Sequence, residues 1–425
     1  MATSSRLRSR KLIADDKLTL GRKHKPDYWI IVICSILLAI GVIIVYAIGP
    51  ALKITTNLSA SYYTVRQLIA VALSIVAFFF TATIPLQKWK KWSNLLILLA
   101  IGASFLAIVL PVNPAYPAHR WVRLVGISFQ SVELVKFAAV LWLAGFFARA
   151  VKNGTITDFK KTFRPLVILL VVSGFIIAGI QSDLGSMGVL TLMMGVMAFI
   201  AGFPFKRILV ISGVIVILLI IAIAVFPYRR ARIEAYLHPS SNCQTANGYQ
   251  ACQSLIAVGS GGIFGLGLGH SVQAYGYTPE ASNDSIFAIY SETFGFIGSI
   301  AMLGLFLALF NRFKIIAENI DDDFSKLLVI GVLAWLSVQT LINIGAMIGL
   351  LPLKGITLPF VSYGGTSIVF SAAAVGLVFQ VSRYTNNKGS KVIADNIRSN
   401  DNDNSVNRRR IRGAYHPGTS DRSKS

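Results

Sequence analysis

Charge is scarce in this chain. Lys, Arg, Asp and Glu make up 14% of its 425 residues, against about 25% in soluble domains, so there is too little polar surface to cover a globule. Histidine (5) and cysteine (3) are also few. No H-E-x-x-H, paired Cys-x-x-Cys or nucleophile elbow occurs, which sets aside metalloprotease, haem-protein and hydrolase-triad chemistry. The glycine run Gly259, Gly261, Gly262, Gly265, Gly267 and Gly269 has neither the Lys-Ser/Thr ending of a P-loop nor the G-x-G-x-x-G register, so nucleotide binding is unsupported. No internal repeat is visible. No cleavable signal peptide is expected either, because the first 27 residues are polar and lead straight into a full-length apolar block.

What is abundant is apolar. Hydrophobic residues reach 54%, with 26 Phe and a mean hydropathy of +0.65. They come in blocks of about twenty, the length that crosses a bilayer core. Ten spans are expected, at roughly 28–49, 63–84, 93–111, 130–148, 166–180, 186–203, 208–227, 286–310, 327–348 and 367–383. The fold class is therefore an all-α polytopic membrane protein. The net charge of +22 follows its topology: 31 of the 40 Lys and Arg fall on the side of the N-terminal tail, which puts both termini in the cytoplasm. The parts are a basic tail (1–27), a membrane domain (28–384) and a second basic tail (385–425) whose Asn, Asp, Ser and Arg content implies disorder. The tails suit orientation and contact with anionic membrane lipid; no nucleic-acid partner is expected.

Two outer loops stand out, 112–129 and the long 228–285. The second opens with Tyr228 to Leu237, a short amphipathic helix at the interface, and its glycine run fits re-entrant backbone packed inside protein. Cys243 and Cys252, nine apart in this loop, form either a disulfide or two thiols; Cys34 is a packing residue. Ionisable residues in or beside apolar spans are costly and draw attention. Glu133 and Lys136 share one helix face, as a structural ion pair or as substrate-site groups. Asp183, within Gln181-Ser182-Asp183-Leu184-Gly185, caps a helix start or acts at the site. Asp284 has the same two readings. Lys354 is an interfacial anchor or a substrate cation, and Arg120-Trp121 and Arg123 fit an aromatic belt equally well. All converge on the outer face, where cations suit a diphosphate and a sheltered carboxylate suits a general base.

Five stretches, in order, resemble the SEDS family of shape, elongation, division and sporulation proteins, over about residues 28 to 384. Arg120-Trp121 resembles that family's R-W pair, and Phe129-Gln130-Ser131-Val132-Glu133-Leu134-Val135-Lys136 resembles F-Q-P-S-E-L-x-K. Gln181 to Gly185 resembles Q-P-D-L-G, and Tyr277-Thr278-Pro279-Glu280-Ala281-Ser282-Asn283-Asp284 resembles Y-L-P-E-A-H-T-D. Gly355-Ile356-Thr357-Leu358-Pro359-Phe360-Val361-Ser362-Tyr363-Gly364-Gly365-Thr366-Ser367 resembles G-x-T-L-P-x-x-S-Y-G-G-S-S. Lys354 to Pro359, with Gly248-Tyr249-Gln250 and Gln253-Ser254, is similar to the septal branch more than to the elongation branch.

The resemblance implies a glycosyltransferase that polymerises lipid II into peptidoglycan glycan strands at the outer face of the bacterial cytoplasmic membrane, at the division septum. It marks Asp284 as catalytic. It implies substrate contacts at Lys354, Arg120, Trp121, Glu133, Lys136, Glu280 and Ser362, and structural or cavity roles for Asp183, Gln181 and Glu292. No resident metal is implied, although Mg or Mn could share the diphosphate. The implied partners are a class B penicillin-binding transpeptidase, to be sought at spans eight and nine, and other division proteins. This chain departs from the family at Ser131 and Ser182, where proline is usual, at Ser282, Asn283 and Ser285 around the key carboxylate, and at Thr293, which leaves Glu292 alone. Two other readings remain, a lipid II flippase and a non-catalytic division scaffold.

Overall fold

The computed structural model describes residues 23–385 apart from 57, 111–120, 125–126, 226, 239–242, 245 and 354. Lipid offers no hydrogen-bond partner to a backbone, so the apolar blocks become helices. In chain order these are α1 (Tyr28–Ala47), a short α2 (Gly49–Thr56), α3 (Ala60–Thr83), α4 (Leu86–Val109) and, after the strands β1 (Trp121–Leu124) and β2 (Ile127–Gln130), α5 (Ser131–Lys152). There follow α6 (Phe159–Ile180), α7 (Leu184–Ile200), α8 (Phe205–Val225), α9 (Pro227–Leu237), α10 (Ala246–Ser260), α11 (Ile286–Glu318), α12 (Asp323–Met347) and α13 (Gly365–Val381). Among the described residues, nine helices are long and apolar enough to cross a membrane. The sixth expected span, α7, has 17 residues and falls just under that length.

Several helices outrun the apolar blocks that announce them. α4 starts at Leu86 and takes Lys88, Lys90 and Lys91 into its first turns, α5 runs on to Lys152, and α11 continues past Arg312 and Lys314 to Glu318. Long basic side chains are good helix formers and reach water from a helix end, so the helix continues where the hydropathy stops. α6 contains π-helical turns at both ends, Phe159–Phe163 and Gly174–Ile180.

The centre of the bundle is α5, α12 and α13, of whose apolar windows 72%, 72% and 83% are buried. α13 lies directly on α3: a Cβ at Gly376 would stand 2.1 Å from Thr81 Oγ1 and 2.5 Å from the Phe78 carbonyl oxygen. Thr81 Oγ1 donates across the same contact to the Ala373 carbonyl at 2.8 Å. At the end of the bundle where the chain enters and leaves, Asp27 pairs with Arg312 at 2.6 Å, and its amide donates to Ser382 Oγ at 3.0 Å.

Both long loops contain secondary structure within their described residues. Within 112–129, β1 and β2 pair as an antiparallel hairpin, with Trp121 opposite Gln130. The 228–285 segment contains the expected interfacial helix as α9 and a second helix, α10, which packs on α11. Cys243 and Cys252 are joined by a disulfide, and Cys34 is a buried free thiol. The glycine run packs backbone on backbone against α11. That helix breaks at Gly295 (φ 66°), where a Cβ would lie 2.4 Å from the Gly265 nitrogen and 2.6 Å from the Ile263 carbonyl oxygen. Only glycine fits both the dihedral and the space.

Candidate functional site

Asp284 sits in the turn before α11, and the helix itself begins two residues later with Ser285 at the cap position. Asp284 therefore does not occupy the N-cap. Its half-buried side chain lies against the loop between α12 and α13: a Cβ on Gly355 would stand 3.3 Å from Asp284 Oδ2. Gly355 has φ 48°, so a side chain there would meet both backbone strain and this carboxylate.

Three ties bind the two stretches, although they lie some seventy residues apart in sequence. Asn343 Nδ2 on α12 donates to the carbonyl of Asp284 at 2.8 Å and to that of Ile356 at 2.6 Å. Ser362 Oγ donates to the Asn283 carbonyl at 2.7 Å and accepts from the Leu358 amide at 2.7 Å. The Tyr363 amide donates to the Ser282 carbonyl at 2.8 Å. Ser362 is buried with its hydroxyl engaged on both sides, which shapes the loop beside Asp284. From the other flank, Gln250 Nε2 on α10 donates to Ser285 Oγ at 3.1 Å, and that hydroxyl donates to the Pro279 carbonyl at 2.9 Å. A phenylalanine, usual at this position, could make neither bond. Glu280 is exposed, at φ 53°, and its carboxylate accepts from Asn283 Nδ2.

Glu133 and Lys136, at the start of α5, are buried to 4% and 1% side-chain exposure and lie 2.7 Å apart. Lys136 Nζ also donates to Gln339 Oε1 at 2.8 Å, and Gln339 Nε2 donates to the Thr357 carbonyl at 3.0 Å. The Trp335 indole donates to the same Gln339 oxygen at 2.9 Å, and Thr357 Oγ1 donates to Ser367 Oγ at 3.0 Å. The ion pair is thus wired through α12 into the loop beside Asp284. Neither member faces solvent, so their geometry is that of cavity walls. One oxygen of Glu133, Oε2, is buried without a hydrogen-bond partner.

Asp183 is a helix cap. Its carboxylate accepts from the Ser186 amide at 3.0 Å and the Ser186 hydroxyl at 2.9 Å at the start of α7. The residue before it, Ser182, has φ 54°, a conformation closed to the proline ring, so the departure at this position changes the backbone. The other departure lies against it: Gln181 Nε2 donates to Ser131 Oγ at 3.2 Å. Glu292 is fully buried and holds the end of the glycine-rich segment, accepting from the Ser271 hydroxyl and from the Val272 and Gln273 amides at 3.0 and 3.2 Å.

Trp121, 38% exposed, stands on β1, and the hairpin reaches the site end through the Gln130 amide, which donates to Thr366 Oγ1 at 3.3 Å. Lys354 and Arg120 lie outside the described residues, as does the side chain of Arg123. Among the described residues no group of three or more His, Cys, Asp or Glu converges to hold a metal. The sequence reading passed over Gln339 and Asn343. Their signal is a polar stripe, Trp335, Gln339 and Asn343, at helical spacing on an otherwise apolar span.

Residues 28–387 match the family model for the cell cycle proteins FtsW, RodA and SpoVE. The chain belongs to that family. "Probable peptidoglycan glycosyltransferase FtsW" of Coxiella burnetii is 35% identical over 373 residues, which span 85% of this chain and 97% of that protein. Stage V sporulation protein E of Bacillus subtilis is 36% identical over 370 residues, 86% and 99% of the two chains. The fold is shared with the rod shape determining protein RodA of Thermus thermophilus (TM-score 0.61, 23% identity, 85% of this chain and 98% of that one). It is also shared with a chain solved in work on structural coordination of polymerization and crosslinking by a peptidoglycan synthase complex (TM-score 0.66, 23% identity, 84% and 98%). Membership of the family spans every motif that meets at Asp284, from the hairpin to the start of α13.

Proposed function

We propose that this protein is a peptidoglycan glycosyltransferase that polymerises lipid II, with Asp284 as its base. One observation carries the reading. The only half-buried carboxylate of the described site is held by its backbone from α12 and flanked by a glycine whose missing side chain leaves room beside it, in a family whose relatives bear the glycosyltransferase name. The end of the bundle with Asp284 is then the outer face, and both termini are cytoplasmic, in keeping with the charge distribution.

The reaction is a single displacement. The 4-hydroxyl of the acceptor GlcNAc attacks the anomeric carbon of the donor MurNAc, the carbon–oxygen bond to the lipid diphosphate breaks, and an α-linked donor becomes a β-1,4 link. A sugar hydroxyl is far too weak an acid to ionise beforehand, so Asp284 accepts its proton as the new bond forms, a contribution of roughly 10²–10⁴-fold. The departing diphosphate needs cations: Lys354, adjoining Gly355, and Arg120. Lys136 is committed to Glu133 and Gln339 and supports the wall. An Mg or Mn ion, where one takes part, would come with the substrate's phosphates.

A class B penicillin-binding transpeptidase, taking the new strands for cross-linking, and other division proteins are the partners we infer, with α11 and α12 as the docking side and the septum as the place of work. Against a flippase, the buried Asp, Glu and Lys side chains among the described residues, Glu133, Lys136, Asp183 and Glu292, belong to the site end, and the one at the other end, Asp322, is a helix cap; this supports a site that works on one face. Purified protein given labelled lipid II, with and without its transpeptidase, tests the reading. Wild type yields gel-resolved polymer and Asp284→Asn loses it by roughly 10²–10⁴-fold. Full activity in that variant, or no polymer from folded wild type with its partner, sinks the reading and moves weight to the flippase or the scaffold.

A further inference from the structure

α3 carries one charged side chain, Arg66, in its second turn. An arginine there is costly and calls for a counter-group. Among the described residues no carboxylate pairs with it, since the ion pairs found are Glu133–Lys136, Asp27–Arg312 and Glu318–Lys314. What surrounds Arg66 is aromatic. Its guanidinium carbon lies 4.6 Å from the centroid of the Tyr62 ring. Tyr62 meets Tyr63 edge-on at 5.4 Å, and Tyr63 meets Tyr363 edge-on at 5.2 Å. The Arg66 charge also reaches the Tyr363 phenol electrostatically. Burial raises the Tyr363 phenol above its ordinary value, with Arg66 pulling the other way, so it remains a hydrogen-bond donor at neutral pH.

This cluster adjoins the site. Gln67 Nε2 donates to the Ser362 carbonyl at 3.4 Å, and the Tyr363 amide is bonded to the Ser282 carbonyl, so α3 grips the same strip of loop that grips the Asp284 turn. Arg66 is exposed, and Ile69, Leu73 and Val76, also exposed, follow it at helical spacing along the same face of α3. A guanidinium stacked on one tyrosine ring, with two further phenols in the same aromatic chain, can take a phosphate in its planar fork, and the apolar strip below it accommodates a long hydrocarbon chain. An amphiphile with a phosphate at the head of an isoprenoid tail fits both halves.

We propose that Arg66, with Tyr62, Tyr63 and Tyr363, seats the phosphates of a polyprenyl-diphosphate-linked substrate at the lipid-facing side of the site. The proposal rests on the polymerase reading for the identity of the substrate and goes beyond it in giving one lipid diphosphate a place at Arg66, a residue outside the motifs. Arg66 is a binding residue here, and the chemistry stays with Asp284.

The test uses the full chain in phosphatidylcholine nanodiscs with undecaprenyl diphosphate as probe and phosphatidylglycerol as the competing anionic lipid. Arg66→Gln lowers undecaprenyl diphosphate affinity roughly tenfold or more, and Tyr363→Phe roughly two- to tenfold, with Arg66→Lys between wild type and Arg66→Gln. In the polymerisation assay Arg66→Gln raises the KM for lipid II by a similar factor, while kcat stays within about twofold, as expected for lost ground-state binding. If Arg66→Gln fails to fold, Arg66→Lys and Tyr363→Phe decide the question. Unchanged probe affinity and KM overturn the seat, and so does a loss confined to phosphatidylglycerol, which would make Arg66 a general headgroup anchor. Probe binding is also measured in Asp284→Asn, so the two ideas fail separately. Polymer made with an unchanged KM removes the seat alone, and Arg66-dependent binding without any polymer removes the polymerase reading alone.

Discussion

α8 is the most apolar of the nine long spans, and none of its described side chains is buried; α13 is the least apolar, and 83% of its window is buried. In water the order would be reversed. In a bilayer the lipid tails are as apolar as leucine, so hydrophobicity does not draw one helix to another, and association rests on close packing by small residues and on hydrogen bonds. α13 has both, in Ser367, Ser371, Ala372, Ala373, Ala374 and Gly376. The bundle hides its two least apolar long spans, α13 and α5, together with α12, and α12 and α13 bring Ser367, Gln339 and Asn343 to the site end.

Glycines on the two helices give the sharpest way to break this comparison. Gly376→Ala forces a methyl group to within 2.1 Å of Thr81 Oγ1 and 2.5 Å of a backbone oxygen, and overpacking of that kind costs about 1–3 kcal/mol or more. Gly213→Ala on α8 meets nothing within 4 Å and gains up to about 1 kcal/mol of helix propensity. Thermal unfolding in detergent separates the two. Similar destabilisation by both would mean that α8 is packed in the working protein after all.

The same contrast explains what the sequence reading could see. Hydropathy located the helices because length and composition are local properties. The Asp183 cap was legible for the same reason, since Asp183 and Ser186 lie three apart, as a cap requires, whereas the cap reading of Asp284 failed because Ser285 takes that position. The two expected loops hid α10 and the hairpin because their helix and strand patterns are short and carry no run of apolar residues long enough to stand out. The meeting of Asp284 with Gly355 was not legible from residue chemistry, since it depends on how α11, α12 and α13 pack. Its trace was the family motifs, which named both stretches without saying what joins them. Asn343 and Gln339 join them, and a neutral polar residue costs less in an apolar span than a charge does, so it marks a site less clearly.

Asn343 sharpens the comparison at the next level of effect. Asn343→Ala removes both bonds and leaves the carbonyls of Asp284 and Ile356 unmatched by that donor. A buried group left unsatisfied costs roughly 1–3 kcal/mol, and here the loss falls on the positioning of the base. The expected result is a kcat lowered roughly ten- to hundredfold with KM nearly unchanged. Asn343→Asp, which keeps shape but not the donor, should not rescue it. A polar residue placed on the exposed face of α8 has no counterpart effect on kcat.

The smallest effects belong to what holds α8 at the other end of the bundle. Arg207, in its first turn, donates to the Thr157 carbonyl at 2.6 Å, and the next residue, Asp158, caps the start of α6 through the amides of Lys160 and Lys161 at 2.8 and 3.1 Å. The Lys161 amide bond, ahead of other causes, holds the Asp158 carboxyl below its ordinary value. A carboxylate depressed in this way contributes above its unfolded pKa, and the contribution is lost as pH falls through the folded value. Spin-label mobility at the start of α8 should therefore stay constant from about pH 8 to about pH 5 and rise only below about pH 4. Arg207→Ala should raise it slightly at every pH, with a stability change under about 1 kcal/mol, because the bond it removes is exposed. A large effect of either change on polymerisation would mean that the position of α8, packed against so little, is nonetheless coupled to Asp284.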